Sequence, residues 1–515
     1  MSDMATVVVG LAPLAADDVV TVARHRAPVE LADDAIEAMT ASRRHVEVLA
    51  ESPTPVYGVS TGFGALATRH IPADRRADLQ RSLIRSHAAS SGAEVETEVV
   101  RALMLLRLRT LASGRTGIHP QTAGTLAALL NAQITPILGE YGSLGCSGDL
   151  APLAHVALAL MGEGAVRDAD GVRRSAADAL RAAGIEPVEL AAKEGLALIN
   201  GTDGMLGMLV LACHDLADLL VAADIGAAMS VEALLGTDRV FAADLQALRP
   251  QPGQQRSAAN LRALLSASAI MDSHRGPDCS VVQDAYSLRC APQVSGAARD
   301  TLTHALAVAT HELASIIDNP VVLSDGRVES NGNFHGAPVG YVADFLAIAV
   351  ADVASIAERR TDRMLDVHRS NGLPPFLAHD PGVDSGHMIA HYTQAALVSE
   401  LKRLAVPASV DSIPTSAMQE DHVSMGWAGA RKLRRAIDAL RHVLAIEILT
   451  AARALDLRAP LQPGPATRAV VAALRTTVPG VGPDRWLAPE IAAAVVAVAD
   501  RSLRQAAESV TGPLD

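Results

Sequence analysis

Residues 140–155 read EYGSLGCSGDLAPLAH, and Cys146, Ser147 and Gly148 stand in the middle, between a glycine-rich turn and a run of helical character. The string is not a Gly-x-Ser-x-Gly nucleophile elbow, because Gly145 and Gly148 flank a Cys-Ser pair at the wrong spacing. It is not a phosphate loop either, since no Gly-Lys-Ser/Thr follows. What a residue–Ser–Gly triplet offers in a tight bend is backbone chemistry. The amide nitrogen of Gly148 can attack the carbonyl carbon of Cys146 and close a five-membered ring, with Gly favoured because no Cβ obstructs so sharp a fold. Loss of one water from the ring and of the Ser147 hydroxyl as a second leaves an exocyclic methylene conjugated to an imidazolone. That group is an electrophile, which ordinary side chains cannot supply. Residue 146 gives only its carbonyl, so its side chain need only be small. Taken alone, the triplet is better explained as a chance loop–helix junction, since such tripeptides occur by chance.

Working outward, SGDLAPLAHVALALMGEG opens a helix with Asp149 as expected N-cap and Pro152 in the first turn. The positive end of that helix then lies beside the triplet. Upstream, the first 70 residues combine a strand-like start, a helix over DDAIEAMTASRRHVEVLAES and the loop PTPVYGVSTGFGAL, punctuated by Gly58, Gly62 and Gly64. Helical periodicity dominates from there, through RADLQRSLIRSHAASSG, ETEVVRALMLLRLRTLASG and TAGTLAALLNAQI. Beyond residue 205 the helical runs lengthen, with two loop-rich interruptions at 271–295 and 318–340. The pattern predicts a mainly α fold: a long central antiparallel helix bundle with a smaller mixed N-terminal part. A soft division assigns residues 1–220 to the part bearing the triplet and 221–515 to the long-helix bundle and C-terminal helices.

The composition narrows the function classes. Apolar residues make up 49% but aromatics only 2%, so the core is built from Ala, Leu, Val and Ile. A net charge of −13 excludes the basic footprint that nucleic acid requires. Only three residues, Lys193, Lys402 and Lys432, are lysine among the 44 Lys and Arg. Cys146, Cys213, Cys279 and Cys290 show no paired short spacing, which suggests neither zinc site nor disulfide framework and fits a reduced, cytoplasmic setting. Apolar runs such as MLGMLVLAC fall short of the roughly 20 residues that span a bilayer, so no membrane is expected.

The longer string GSLGCSGDLAPLAH resembles the signature of the MIO-dependent aromatic amino acid ammonia-lyases, whose prosthetic group is 4-methylideneimidazol-5-one. The family usually has Ala first in the triplet, where this chain has Cys146. The resemblance covers nearly the whole chain and implies the aromatic ammonia-lyase/fumarase-like fold, MIO formed from Cys146-Ser147-Gly148 and no external cofactor. It also implies a homotetramer whose active sites are shared between subunits.

The other family motifs arrive in order. YGVSTGFG carries Tyr57, which the resemblance places on a mobile lid as a base for the substrate's β-proton. LQRSLIRSHAAS carries Ser86-His87, similar to the histidine-specific members, so His87 is expected to orient an imidazole. LALINGTDGM carries Asn200, expected to donate a hydrogen bond beside the prosthetic ring, and Asp203, where the family commonly has Gln. QDAYSLRCAPQ carries Tyr286 and Arg289, which share a face if the segment is helical. Arg289 is suited to a bidentate grip on the α-carboxylate, and Tyr286 competes with Tyr57 as the base. NGNFHG carries Phe334, expected against the ring. SAMQEDHVSMG carries Glu420, where members specific for Phe and Tyr carry Gln, and a carboxylate can pair with an imidazole N–H. His387 and His391, at i and i+4 in HMIAH, have zinc-compatible spacing but no His-Glu-x-x-His frame, and no metal is expected.

The resulting expectation is deamination of L-histidine to trans-urocanate and ammonia. A tyrosine or phenylalanine ammonia-lyase or aminomutase is the runner-up within the family. A catalytically dead helical binding protein and a fumarase-like lyase are the alternatives outside it.

Overall fold

The computed structural model describes residues 5–52, 55–62, 64–66, 68–276 and 282–515, so Cys279 lies outside the described residues. Helices dominate, and the described strands form four small sheets. The chain divides into two compact units, each assembled from three segments. The first comprises Met1–Ala212, Leu306–Asp344 and Pro407–Arg431, and the second Cys213–Ala305, Phe345–Val406 and Lys432–Asp515.

In the first unit the expected opening strand is Val7–Val9, paired in parallel with Val29–Leu31. The helix Thr97–Ala112 is the core, buried at every position from Val99 onward. It packs against Ala16–His25, Asp33–Glu51 and Pro120–Asn131. Three arginines lie on this buried helix, and each finds carbonyls. Arg101 donates from Nε and Nη2 to Val22 O at 3.1 and 2.9 Å and from Nη1 to Leu130 O at 3.1 Å. One guanidinium thereby joins last-turn carbonyls of two helices. Burial pulls its pKa down to about 10. Arg109 donates to Ala12 O and Leu11 O at 2.9 and 3.1 Å.

The second unit contains long helical stretches joined by buried polar contacts. The helices concerned are Asp203–Ala233, Ala291–Ala314, Ala337–Leu365, Met388–Leu404 and Gly426–Asp456. Glu447 pairs with Arg360 and accepts Ser230 Oγ at 2.9 Å. Asp224 receives Ser257 Oγ at 2.6 Å, Asn260 Nδ2 at 2.9 Å and Arg299 Nη2 at 2.9 Å. Such contacts fix one register between Ala- and Leu-rich surfaces that could otherwise slide. His387 and His391 take different partners: His387 Nδ1 lies 3.1 Å from Thr450 Oγ1, and His391 Nε2 lies 2.6 Å from Glu358.

Two helical stretches exceed what the apolar runs suggested. Residues 194–233 and 337–365 are long and apolar enough to cross a membrane, each with a mean hydropathy of 1.8 over its most apolar window. Those windows are 78% and 56% buried inside the protein, which accounts for their apolarity as core packing.

Candidate active site

The triplet occupies a bend in which Gly145, Ser147 and Gly148 have φ of +69°, +49° and +82°. Two successive residues in the left-handed region fold the chain back sharply, and a non-glycine residue holds that conformation only where its surroundings enforce it. A Cβ on Gly148 would collide with the backbone of Gly201, so only glycine fits. The amide of Asp149 locks the same junction by donating to Gly201 O at 2.6 Å. Among the described residues, the amide N–H of Gly148 has no hydrogen-bond partner. The residues present therefore suit ring closure between Cys146 and Gly148: a sharp bend, no Cβ at the attacking residue and an unengaged nitrogen.

The helix after the triplet, Leu150–Leu160, begins as expected with Asp149 at its N-cap, but the Asp149 side chain makes no cap bond to it. Its carboxylate turns away and accepts Ser143 Oγ at 2.7 Å and the amides of Gly204 and Met205 at 2.8 and 3.0 Å. It caps the Asp203–Ala233 helix instead, where the orphan amides compete better for a buried acceptor. Burial pushes the Asp149 carboxyl up to about 7 despite those donors.

A cavity of about 500 Å³ opens at the triplet, lined by Tyr57, Cys146, Ser147, Asn319, Phe334 and Glu420 among others. The Tyr57 hydroxyl accepts the Gly64 amide at 3.3 Å, which ties the two ends of the glycine loop. Burial and the field of Glu420 push the Cys146 thiol up to about 11, so it stays protonated and unreactive. Glu420 is not on a helix: Thr415 and Glu420 form an isolated antiparallel bridge across a tight turn. Its Oε2 is buried with no hydrogen-bond partner.

Asn200 sits just behind this cavity. Its Nδ2 donates to Asn319 O at 3.0 Å, while its Oδ1 is buried without a partner. Asp203 pairs with the fully buried Arg107, which gives this departure from the family pattern a physical account. Gly201 is glycine because a Cβ there would overlap the Arg107 guanidinium.

His87 closes the helix Arg76–His87, with Nδ1 at 2.9 Å from Leu83 O and 3.0 Å from Ser86 Oγ. Burial lowers its pKa, so the ring is neutral near pH 7. It does not line the cavity at Ser147. Tyr286 and Arg289 belong to the second unit, where a single helical turn stacks the guanidinium over the ring at 4.6 Å. Arg289 Nε is buried and unpartnered.

Sequence reasoning passed over Asn319 and His422, which also line the cavity. The Asp-Asn-Pro run at 318–320 and the Glu-Asp-His run at 420–422 were their only signals.

A family profile described as "Aromatic amino acid lyase" matches residues 14–476. The chain belongs to the aromatic amino acid lyase family. Within this family it is 65% identical to the histidine ammonia-lyase of Streptomyces avermitilis, over 99% of this chain and 100% of that one. Among solved members, the tyrosine aminomutase from Streptomyces globisporus superposes with a TM-score of 0.93 at 38% identity, covering 99% of this chain and 100% of that one. The histidine ammonia-lyase from Trypanosoma cruzi superposes with a TM-score of 0.90 at 36% identity, covering 98% and 96%. The family fold thus carries more than one named chemistry, and the substrate has to be argued from the site.

Proposed function

We propose that the chain is a histidine ammonia-lyase, releasing ammonia from L-histidine to give trans-urocanate. The observation that carries the reading is Glu420, whose buried Oε2 has no partner in the cavity that holds Ser147. An unpaired buried acceptor is costly, and an imidazole N–H relieves that cost where a phenyl ring cannot. The S. avermitilis relative, named for histidine, supports the same substrate.

Formed from Cys146-Ser147-Gly148, MIO supplies an electrophile that activates a substrate whose β-proton is not acidic and whose ammonium leaves poorly. The chain's own residues bind and orient. Arg289 is assigned the α-carboxylate, which its two parallel N–H donors suit, in a site shared between subunits. Glu420 addresses the imidazole and Phe334 packs against its face, both from the cavity wall; His87, which does not line that cavity, is assigned to the imidazole on the family resemblance alone. Asn200 presents its amide beside Ser147. Tyr57 shares the cavity with Ser147 and is assigned the β-proton, with Tyr286 kept as the competing base. In the net reaction the Cβ–H electron pair becomes the Cα=Cβ bond, and the Cα–N pair departs with the amine. The enzyme is assigned to the cytoplasm as a homotetramer with shared sites. An exposed apolar groove lined by Val294, Ala297, Phe345 and Ile348 in the second unit supports such subunit contact.

The test is a panel of amino acids with purified protein, followed by ultraviolet absorbance of the unsaturated product. Urocanate from histidine, with cinnamate and coumarate far slower, is the expected result. Preference for tyrosine or phenylalanine moves the assignment to the runner-up, and no turnover of any amino acid favours a binding protein.

A further inference from the structure

The guanidinium of Arg107 is fully buried and has four contacts that converge on the back of the cavity. Nε donates to Asp203 Oδ2 at 3.0 Å, and Nη2 pairs with the same carboxylate. Nη1 donates to Ala197 O at 3.1 Å, and Nη2 reaches Ile317 O at 3.3 Å. These anchors are not scattered. Residues 197 and 203 bracket Asn200 at equal distance along the chain, and Ile317 stands two residues before Asn319. A single planar fork therefore ties the end of the Glu194–Ile199 helix, the start of the Asp203–Ala233 helix and the segment that presents Asn319.

A second buried pair fastens that last segment from its other side. Lys193 Nζ meets Asp318 Oδ2 at 2.6 Å and Thr116 O at 2.8 Å, and both charged side chains are wholly inaccessible. The two asparagines are then linked directly, Asn200 Nδ2 to Asn319 O. Asn331 completes the frame, its amide donating to Asn319 Oδ1 and its Nδ2 to Asp318 O, both at 3.0 Å. In the Asn200 side chain the buried Oδ1 is left without a partner.

Arginine is required for this geometry. A lysine ammonium could pair with Asp203, but it is a point charge on a flexible stem and has no planar fork to span the Ala197 and Ile317 carbonyls as well. Close approach to Gly201 points the same way, because a Cβ there would overlap Nη2.

We infer that Arg107, with Asp203 as its counter-charge, is a positioning residue that sets the Asn200 amide and the Asn319 backbone against the reacting triplet. Arg107 does not line the cavity and acts only through these contacts. The inference rests on the lyase reading for its assay, and it concerns how Asn200 is held in place.

The test uses the purified full chain and three variants. Arg107→Lys is expected to lower kcat about tenfold or more with KM within about threefold, since small misplacements near the reacting atoms fall on kcat. The mass deficit of the modified Ser147 should persist. The double variant Arg107→Met/Asp203→Leu removes the charge pair without leaving a lone ion, so its thermal midpoint should return to near the wild-type value. Its kcat should stay low, because the grips on Ala197 and Ile317 are still missing. Asp203→Leu alone leaves the Arg107 guanidinium as a lone buried ion, so its thermal midpoint should fall below that of the double variant. Should Arg107→Lys not fold, Gly201→Ala displaces the guanidinium without removing its charge and gives the same readout. A kcat within twofold of wild type in Arg107→Lys overturns the role, and so does recovery of kcat together with stability in the double variant. Ratios to wild type on whichever amino acid the wild type deaminates carry the test, so a wrong substrate and a wrong role for Arg107 are distinguishable.

Discussion

Asp149 and Gly204 are joined by a 2.8 Å hydrogen bond across 55 positions of sequence, carboxylate to helix-start amide. The residue after the triplet thus serves as the cap of a helix 31 residues long. Asp149→Ala leaves the Gly204 and Met205 amides and the Ser143 hydroxyl buried without an acceptor. The expected cost is about 2–4 kcal/mol of unfolding free energy, read from denaturant titration. A loss under about 0.5 kcal/mol, the scale of an ordinary surface substitution, would contradict the cap.

Ser147 should be absent as serine from the mature protein. Cyclisation with loss of two waters makes the intact mass about 36 Da lower than the encoded mass. Ser147→Ala should fold, restore the full mass of its own sequence and lose activity by about a thousandfold or more. Active wild-type enzyme at full encoded mass would refute the modification.

Gly148→Ala tests the bend itself. The added Cβ meets the Gly201 backbone at a position with φ of +82°. Backbone cannot yield as a side-chain tip can, so the variant should lose about 2–4 kcal/mol of stability and show no mass deficit. A variant with wild-type stability and the deficit intact would mean that the bend tolerates a side chain.

Glu420→Gln replaces an unpartnered carboxylate by an amide in the same volume. Histidine turnover should fall by about a hundredfold, while the slow reaction with phenylalanine should change much less or rise. Equal losses on both substrates would remove Glu420 from ring recognition.

His387 predicts an acid limb in stability. Burial pushes its pKa down to about 3, and the residue is only 2% exposed. The folded pKa lies below the unfolded value of 6.5, so below pH 6.5 the unfolded chain takes up a proton that the native state refuses. Stability from this group is therefore full above pH 6.5 and falls toward pH 3, with a slope of up to about 1.4 kcal/mol per pH unit. His387→Gln should flatten the dependence of thermal midpoint on pH between 6 and 4. An unchanged slope would show that other groups set it.

The helices were legible because their apolar positions recur at helical spacing over many turns, and Asp33–Glu51, Thr97–Ala112 and Gly426–Asp456 fall where that spacing runs. The turn from Tyr286 to Arg289 was legible only as a condition, because one turn inside the loop-rich stretch 271–295 is too short to show a period. Partnership was not. Nothing in local sequence says that Asp149 caps a distant helix, or that arginines 101, 107 and 109 lie inside a core where a helical pattern assigns charges to a wet face. Each depends on carbonyls and amides that arrive from elsewhere in the fold. Of the site, the triplet and its flanking motifs could be found because backbone chemistry demands particular residue types. Asn319 and His422 could not, because an Asn before Pro and a His after two acids are ordinary loop residues until the fold brings them to the cavity.

The guanidinium-to-carbonyl contacts that close the core helices also determine how the molecule meets reagents. Among its three lysines, Lys193 is sealed against Asp318, so amine-directed labels and crosslinkers have at most Lys402, Lys432 and the chain start to work with. Arginine-directed dicarbonyls face the opposite situation: abundant surface targets, and a buried set at 101 and 107 that only opening of the core releases. The order in which arginines are modified would then chart which parts of the chain come apart first.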